Sequence, residues 1–126
     1  MKKEAISTNN APAAIGPYAQ GIMMENLVFT SGQLPLDPAT GKLVEGGIKE
    51  ATTQVIKNLE AVLAAGGSSL DKVVKATVYL KDLGDFASMN EVYAEYFGGN
   101  PPARTCFEVC KLPLDAVVEI EAIAVK

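Results

Sequence analysis

Histidine is absent from this chain of 126 residues. Its absence excludes a Ser-His-Asp triad, a Cys-His dyad and any histidine metal ligand. A metal site would have to use two cysteines and scattered carboxylates, so we expect none. Any acid–base chemistry would fall to carboxylates, tyrosine, lysine, cysteine or bound water.

Cysteine is nearly as scarce, with Cys106 and Cys110 as the only two. In one strand they would lie about 13 Å apart, at roughly 3.3 Å per residue, which is too far for a disulfide. Two reduced thiols are typical of cytosolic proteins, so we expect a cytoplasmic location. Lys2 and Lys3 are not followed by the apolar core of a signal peptide, and no stretch approaches the ~18 apolar residues of a membrane span. We therefore expect a soluble protein.

Positive charge is also limited, because the formal net charge is −4 and the basic residues are scattered along the chain. Binding to a phosphate backbone would need a basic face, so this balance argues against nucleic acid as a partner, although a local basic patch stays possible. The apolar fraction of 48% is ordinary for a globular protein. A chain of this length forms one domain, residues 1–126, and buries about two-thirds of its unfolded surface.

The first part of the chain has the alternation of strands. We predict an edge strand over Met1–Ile6 and a hairpin of Ala19–Met24 with Leu27–Ser31, turning at Glu25-Asn26. A loop rich in proline and glycine precedes the hairpin.

The middle of the chain has apolar residues at the spacing of an α-helix. An apolar stripe from Ile48 to Leu63 predicts a helix that ends at Gly66-Gly67 and packs one face on a sheet. The period then changes to two over Val74–Lys81, which predicts a strand with Val74, Ala76, Val78 and Leu80 on one face. We expect Asp85 to cap a second helix, whose buried stripe is Phe86, Met89, Tyr93 and Tyr96-Phe97.

The last two strands are predicted over Arg104–Cys110 and Val117–Val125. A hairpin between them would bring a set of polar side chains onto one sheet surface, although the sequence leaves the register open. That set is Arg104, Cys106, Glu108, Glu119 and Glu121.

The predicted order is βββαβαββ, which indicates an α+β two-layer sandwich with two helices on one face of a mixed β-sheet. The other face of the sheet mixes polar, charged and apolar groups and is too apolar to be fully exposed to solvent. We expect a homo-oligomer to cover it and to leave clefts between subunits.

Arg104 is the leading candidate for a binding residue. It follows the stiff segment Asn100-Pro101-Pro102, where a rigid loop becomes a strand. A guanidinium held still matches a carboxylate with two charge-assisted hydrogen bonds. The alternatives are a solvated arginine or a structural ion pair.

Other candidates are weaker. Tyr18 follows Pro17 in a restrained loop, so its ring either faces a pocket or plugs the core. Ser31-Gly32 ends a strand with small residues, which admit a ligand but also occur in simple turns. Asn90, near the start of the second helix, would by default be solvent-exposed.

Four blocks of the sequence resemble the signatures of the RidA (YjgF) reactive-intermediate deaminases. They are Gly16-Pro17-Tyr18, Thr30-Ser31-Gly32-Gln33, Pro102-Ala103-Arg104-Thr105-Cys106 and Val118-Glu119-Ile120-Glu121-Ala122. The resemblance extends along essentially the whole chain. It implies a chorismate-mutase-like fold closed into a homotrimer with sites in the clefts between subunits. It also implies hydrolysis of 2-imino acids, such as 2-iminobutanoate and 2-iminopropanoate, to 2-keto acids and ammonia, with no cofactor and no metal.

The same resemblance implies roles for individual residues. Arg104 would bind the substrate carboxylate, Glu119 would orient or activate the attacking water, and Cys106 would contribute mainly backbone groups. The remaining residues expected to line the substrate pocket are Tyr18, Ser31, Gly32 and Asn90. We interpret Cys110, Glu108 and Glu121 as structural residues without a role in the site.

Two rival functions remain open at this point. Relatives in this family are described as ribonucleases or translation inhibitors, although an acidic chain without histidine makes general acid–base cleavage of RNA the weaker hypothesis. A small-ligand sensor or holdase chaperone would use the same clefts without catalysis.

Overall fold

The computed structural model describes residues 1–126, and its elements follow the predicted order βββαβαββ. Six strands form one mixed sheet and two helices lie against it, so the predicted α+β fold class is confirmed. Short 3₁₀ turns occur at Leu70–Lys72, Leu83–Asp85 and Pro113–Asp115. The bounds are β1 Glu4–Ile6, β2 Gly21–Met24, β3 Leu27–Thr30, α1 Ile48–Ala65, β4 Val73–Leu80, α2 Phe86–Phe97, β5 Ala103–Glu108 and β6 Val118–Val125.

The strand order across the sheet is β1-β2-β3-β6-β4-β5. Strand β6 pairs antiparallel with both β3 and β4, whereas β5 pairs parallel with the far side of β4. The predicted hairpin between the last two strands is therefore wrong. The connection from β5 crosses the end of β4, where the Val109 amide donates to the Leu80 carbonyl and the Lys81 amide to the Val117 carbonyl.

Helix α1 confirms its predicted stripe. The side chains that it turns toward the sheet are fully buried, and they pack with the inward residues of β3, β4 and β6. Gly66 ends the helix by donating its amide to the Val62 carbonyl at 3.1 Å, as the glycine pair predicted. Neither helix combines the length and the apolar composition that crossing a membrane requires. The central residues of the stripe are Val55, Ile56, Leu59, Val62 and Leu63.

Two local predictions are wrong. A β-bulge between Val73 and Lys75 turns Val73 into the core and leaves Val74 exposed, because the extra residue shifts the alternation by one position. Before α2, the Asp82 carboxylate accepts the Gly84 amide at 2.8 Å, while the Asp85 side chain makes no capping bond.

The buried stripe of α2 differs slightly from its prediction. Met89, Tyr93 and Phe97 are buried as expected, and Val92 joins them. Phe86 is partly exposed because it sits in the first turn, where it lies beside the side chain of Arg104.

Asn58 and Thr52 are the two buried polar residues of α1, and Asn58 bonds to a loop outside the helix. The Asn58 amide nitrogen donates to the carbonyls of Leu34 and Leu36 at 3.0 and 2.9 Å, and its oxygen accepts from Gln54. The sequence pattern did not single out Asn58, since an asparagine inside a helix has no periodic signature. Its bonds attach the loop after β3 to the helix layer.

We expect Asn58→Ala to lower the free energy of unfolding by about 2 kcal/mol, because the buried Leu36 carbonyl loses its donor and the Leu34 carbonyl keeps only the Leu36 amide. The better helix propensity of alanine offsets about 0.5 kcal/mol of this cost. Chemical denaturation of the variant and of Asn10→Ala, at an exposed position, measures the difference. Equal midpoints for the two variants would contradict the anchoring role.

Candidate active site

The polar residues of the last two strands lie on different faces of the sheet. Arg104 and Cys106 pair with Ala76 and Val78, which are buried under the helices. Glu119 instead pairs with Tyr79 on the open face. The prediction that one hairpin places these polar groups on a single surface is therefore wrong.

Arg104 and Glu119 are also far apart within the plane of the sheet. Glu119 lies near the start of β6 and Arg104 near the start of β5, with β4 between the two strands. Strand spacings of about 4.8 Å and rises of about 3.3 Å per residue place their Cα atoms roughly 14 Å apart. The two side chains leave the sheet in opposite directions, so one protomer contains two separate candidate sites. We refer to them as the Glu119 pocket and the Arg104 cleft.

The Glu119 pocket is a cavity of about 510 Å³ at the end of β3 and the start of β6. It brings together four of the predicted site residues, Tyr18, Ser31, Gly32 and Glu119. Glu119 supplies the only charged side chain of the lining, and no lysine or arginine contributes to it. The full lining is Pro12, Ala13, Ile15, Tyr18, Gln20, Ser31, Gly32, Gln33, Leu34, Leu36, Pro113, Leu114 and Glu119.

The Glu119 carboxylate lies directly against Gly32. A Cβ atom added to Gly32 would overlap Oε2 of Glu119. The absence of a side chain at Gly32 therefore leaves the space that the Glu119 carboxylate occupies at the end of β3.

Burial raises the pKa of the Glu119 carboxyl, and the nearby negative charge of Glu121 raises it further. Glu121 accepts a hydrogen bond from the Tyr79 hydroxyl, and this bond with burial raises the pKa of Tyr79 to about 12. Glu119 thus carries a proton-accepting group that is more basic than an ordinary glutamate.

Tyr18 and Ser31 are placed by the loop before β2. Tyr18 is 51% exposed, and its hydroxyl accepts the Ile15 amide at 3.3 Å. It lines the Glu119 pocket and does not plug the core. The Ser31 hydroxyl donates to the Ala19 carbonyl at 2.6 Å, so it ties the end of β3 to this loop.

Two buried glutamines, which the sequence reasoning missed, hold the pocket walls. Gln20 donates to the carbonyls of Thr8, Ala11 and Pro12 and accepts the Thr8 amide. Gln33 exchanges backbone hydrogen bonds with Ile120 of β6. Only the position of Gln33 within the block Thr30-Ser31-Gly32-Gln33 could have pointed to it.

The Arg104 cleft lies between β5 and α2. Arg104, the only arginine of the chain, donates from Nη1 to Oδ1 of Asn90 at 2.7 Å. Its guanidinium carbon lies 4.7 Å from the ring centroid of Tyr93 and 5.5 Å from that of Phe86. Cation–π contacts of this kind are worth about 0.5–2 kcal/mol and restrict the guanidinium plane.

No carboxylate of the chain pairs with Arg104. The two ion pairs join Lys49 to Glu91 and Lys81 to Asp115, so the interpretation of Arg104 as a structural ion pair is wrong within the protomer. The interpretation of Asn90 as a merely exposed residue is also wrong, because it is half-buried against Arg104.

Cys106 is half-buried beside the core, and burial raises the pKa of its thiol while the Arg104 charge acts in the opposite direction. A thiol of this kind is a poor nucleophile. Cys110 is exposed, and no group of three or more histidine, cysteine or acidic side chains is arranged to hold a metal ion.

Comparison with known proteins identifies the family. The family profile described as endoribonuclease L-PSP matches residues 8–126. The chain belongs to the RidA (YjgF) family.

Individual relatives agree with this RidA assignment over nearly their whole length. A RutC family protein of Pyrococcus horikoshii is 58% identical, covering 98% of each chain. The 2-iminobutanoate/2-iminopropanoate deaminase of Mus musculus is 48% identical over 98% of this chain and 92% of its own. The crystal structure of E. coli TdcF with bound serine superposes with a TM-score of 0.93 and 42% identity, covering 98% of both chains.

For this RidA-family chain we expect Glu121→Gln to lower the pKa of Glu119, because the substitution removes one of the two causes of its elevation. Burial remains, so the pKa should stay above that of an exposed glutamate. Carboxyl-carbon NMR titration measures the change, with Glu60→Gln on the exposed side of α1 as the control. An unchanged or higher Glu119 pKa would show that the two carboxylates are not coupled.

Proposed function

We propose that this protein hydrolyses 2-imino acids, such as 2-iminobutanoate and 2-iminopropanoate, to 2-keto acids and ammonia. Water adds to the carbon of the C=N bond, the carbon–nitrogen bond then breaks, and the nitrogen leaves as ammonia. No electrons are exchanged with another molecule, so the reaction needs no oxidant or reductant. A protonated imine is already electrophilic, so no nucleophilic side chain is required.

The observation that supports this proposal best is the division of charge between the two candidate sites. Arg104 is held in place but lacks a carboxylate partner, and the Glu119 pocket contains no cation. A small acid beside Glu119 needs a cation to offset the repulsion between two negative groups. The Arg104 cleft of a second copy would supply it.

We therefore place the working site between subunits of a homotrimer. Each copy would present its Arg104 cleft to the Glu119 pocket of the next copy, and a head-to-tail contact of this type closes into a ring. The half-buried apolar residues of the open face, Ile22, Phe29 and Ile123, would be covered in the same assembly.

Arg104 binds the substrate carboxylate in this proposal. Its contacts with Asn90, Tyr93 and Phe86 orient the guanidinium before the substrate binds. This order lowers the entropic cost of binding the substrate carboxylate. Each charge-assisted hydrogen bond to the carboxylate contributes about 1.5–3 kcal/mol. Fixing the carboxylate also fixes the adjacent imine carbon.

Glu119 accepts a proton from the attacking water. Burial and the charge of Glu121 raise its pKa, which makes it a stronger base than an ordinary glutamate. A positioned general base contributes about 10²–10⁴-fold. Gly32 leaves room for the carboxylate, and Tyr18 and Ser31 line the pocket with it. Cys106 contributes mainly backbone groups in this proposal, and burial raises the pKa of its thiol.

The relatives support the substrate class. The mouse relative is named for hydrolysis of the same two imines, and the E. coli structure holds serine. Serine and a 2-imino acid share a carboxylate next to a carbon that carries nitrogen. This shared pattern is what a guanidinium and a nearby base can recognise together.

We expect Arg104→Ala to lower kcat/KM for 2-iminobutanoate by at least about 100-fold, since two charge-assisted bonds are lost. Arg104→Lys keeps the charge without the planar fork and should recover only part of the activity. The imine is generated in situ, and its loss is followed in competition with semicarbazide. Lys57→Ala, on the exposed side of α1, is the control.

Mixed oligomers test the position of the site between subunits. Arg104→Ala and Glu119→Gln are each expected to be nearly inactive, yet subunit exchange between them should restore activity because some sites then contain both native residues. A mixture that stays inactive after exchange, checked by native mass spectrometry, would rule out a shared site. Binding of 2-keto acids without faster imine loss in the native protein would instead favour the ligand sensor.

Gly32→Ala should lower kcat by about 100-fold or more with a small effect on stability. The added methyl group displaces the Glu119 carboxylate, whose flexible side chain can swing away without unfolding the protein. Gly99→Ala is the matched control, because a Cβ there meets no atom within 4 Å. The measurement is kcat together with the thermal midpoint; equal kcat values for the two variants would contradict this role for Gly32.

A further inference from the structure

The Glu119 pocket has an apolar wall that the proposed hydrolysis does not require. Its polar side chains are those of Tyr18, Gln20, Ser31, Gln33 and Glu119. Another part of the lining is aliphatic, and in it Ile15 is 77% and Leu114 59% exposed. The larger apolar side chains of the lining are Ile15, Leu34, Leu36, Pro113 and Leu114.

The volume of the pocket exceeds the needs of the smallest substrates. At about 510 Å³ it falls within the range of roughly 300–1,000 Å³ that is typical of sites for drug-sized ligands. An imine formed from alanine has only one methyl group beyond its reacting carbon. Room therefore remains in the pocket for a longer substrate side chain.

The backbone holds Leu114 in an unfavourable conformation. Leu114 and Asp115 have φ values of 58° and 57°, in the left-handed region that non-glycine residues rarely adopt. The turn is closed by the Asp115 amide on the Leu112 carbonyl and by an ion pair of Lys81 with Asp115 at 2.9 Å. Strain of this kind concentrates where a side chain must be presented to a ligand.

We propose that Leu114 is a specificity-determining residue that, together with Ile15, receives the side chain of branched or long aliphatic 2-imino acids. The inference rests on the proposed function and extends it to a substrate class. With the imine carbon beside Glu119, a longer alkyl chain extends toward this wall.

Burial of apolar surface would favour substrates with aliphatic side chains. Each methylene of the substrate that is removed from water favours binding, and the exposed Leu114 side chain becomes buried at the same time. A charged substrate side chain would find no partner on this wall, since the lining contains no charge except Glu119. The imine formed from leucine is the simplest test substrate of the favoured class.

The experiment compares kcat/KM for the imines of leucine and alanine, each generated in situ by an amino acid oxidase. We expect Leu114→Asn to lower the leucine-to-alanine ratio by about tenfold, the usual effect of lost methylene contacts. Asparagine tolerates the left-handed conformation, so the backbone turn is kept. Leu114→Met, which keeps the apolar volume, should preserve the ratio within about threefold.

Two further variants keep the test decisive. Ile15→Asn, in a separate loop, should lower the ratio in the same direction even if Leu114→Asn folds poorly. Leu83→Asn changes a leucine of similar exposure outside the pocket and should leave the ratio unchanged.

The outcomes distinguish failure of the specificity inference from failure of the proposed hydrolysis. A ratio unchanged in both Leu114→Asn and Ile15→Asn would overturn the inference while leaving imine hydrolysis intact. A lower oligomer mass for Leu114→Asn would also overturn it, because Leu114 would then cover a subunit contact. If the native protein hydrolyses neither imine, the proposed function itself fails.

Discussion

The position of β6 between β3 and β4 is the constraint on which the rest of the structure depends. Antiparallel pairing on both sides of β6 buries Val118, Ile120 and Ala122 under the helices. Because side chains alternate along a strand, Glu119 must then emerge on the open face, beside the end of β3. Strand β5 is left at the far edge, where its own alternation directs Arg104 toward α2. Arg104 and Glu119 are separated as a direct result of strand pairing.

This separation explains the electrostatics of the molecule. Arg104 is oriented by an amide and two aromatic rings, none of which neutralises its charge. Glu119 lies half-buried near another carboxylate, which makes its ionised form less favourable. A protomer therefore carries an incompletely paired cation and an incompletely paired anion on different surfaces. The proposed trimer would bring these opposite charges of neighbouring copies together.

Two buried amide side chains anchor the loops that surround the Glu119 pocket. Gln20 fastens the loop that carries Tyr18, and Asn58 fastens the loop that carries Leu34 and Leu36. Both amides are buried, so their loss leaves carbonyl groups without donors and loosens the wall. The pocket is thus supported by the helix layer and by the first loop, while the strained turn at Leu114 closes its apolar side.

The sequence by itself determined the order of elements, the stripe of α1, the two faces of β6 and, through four short blocks, the family. These features depend on local periodicity and on residue types that are legible in one chain. Only the tertiary structure decided the partner of β5, the burial of Val73 in place of Val74, and the separation of Arg104 from Glu119. Strand pairing, a bulge and a crossover connection join residues far apart in the chain, and no local pattern encodes them. The tertiary structure also decided the contact of Arg104 with Asn90, Tyr93 and Phe86, since helix and strand approach each other only after both have packed on the same core.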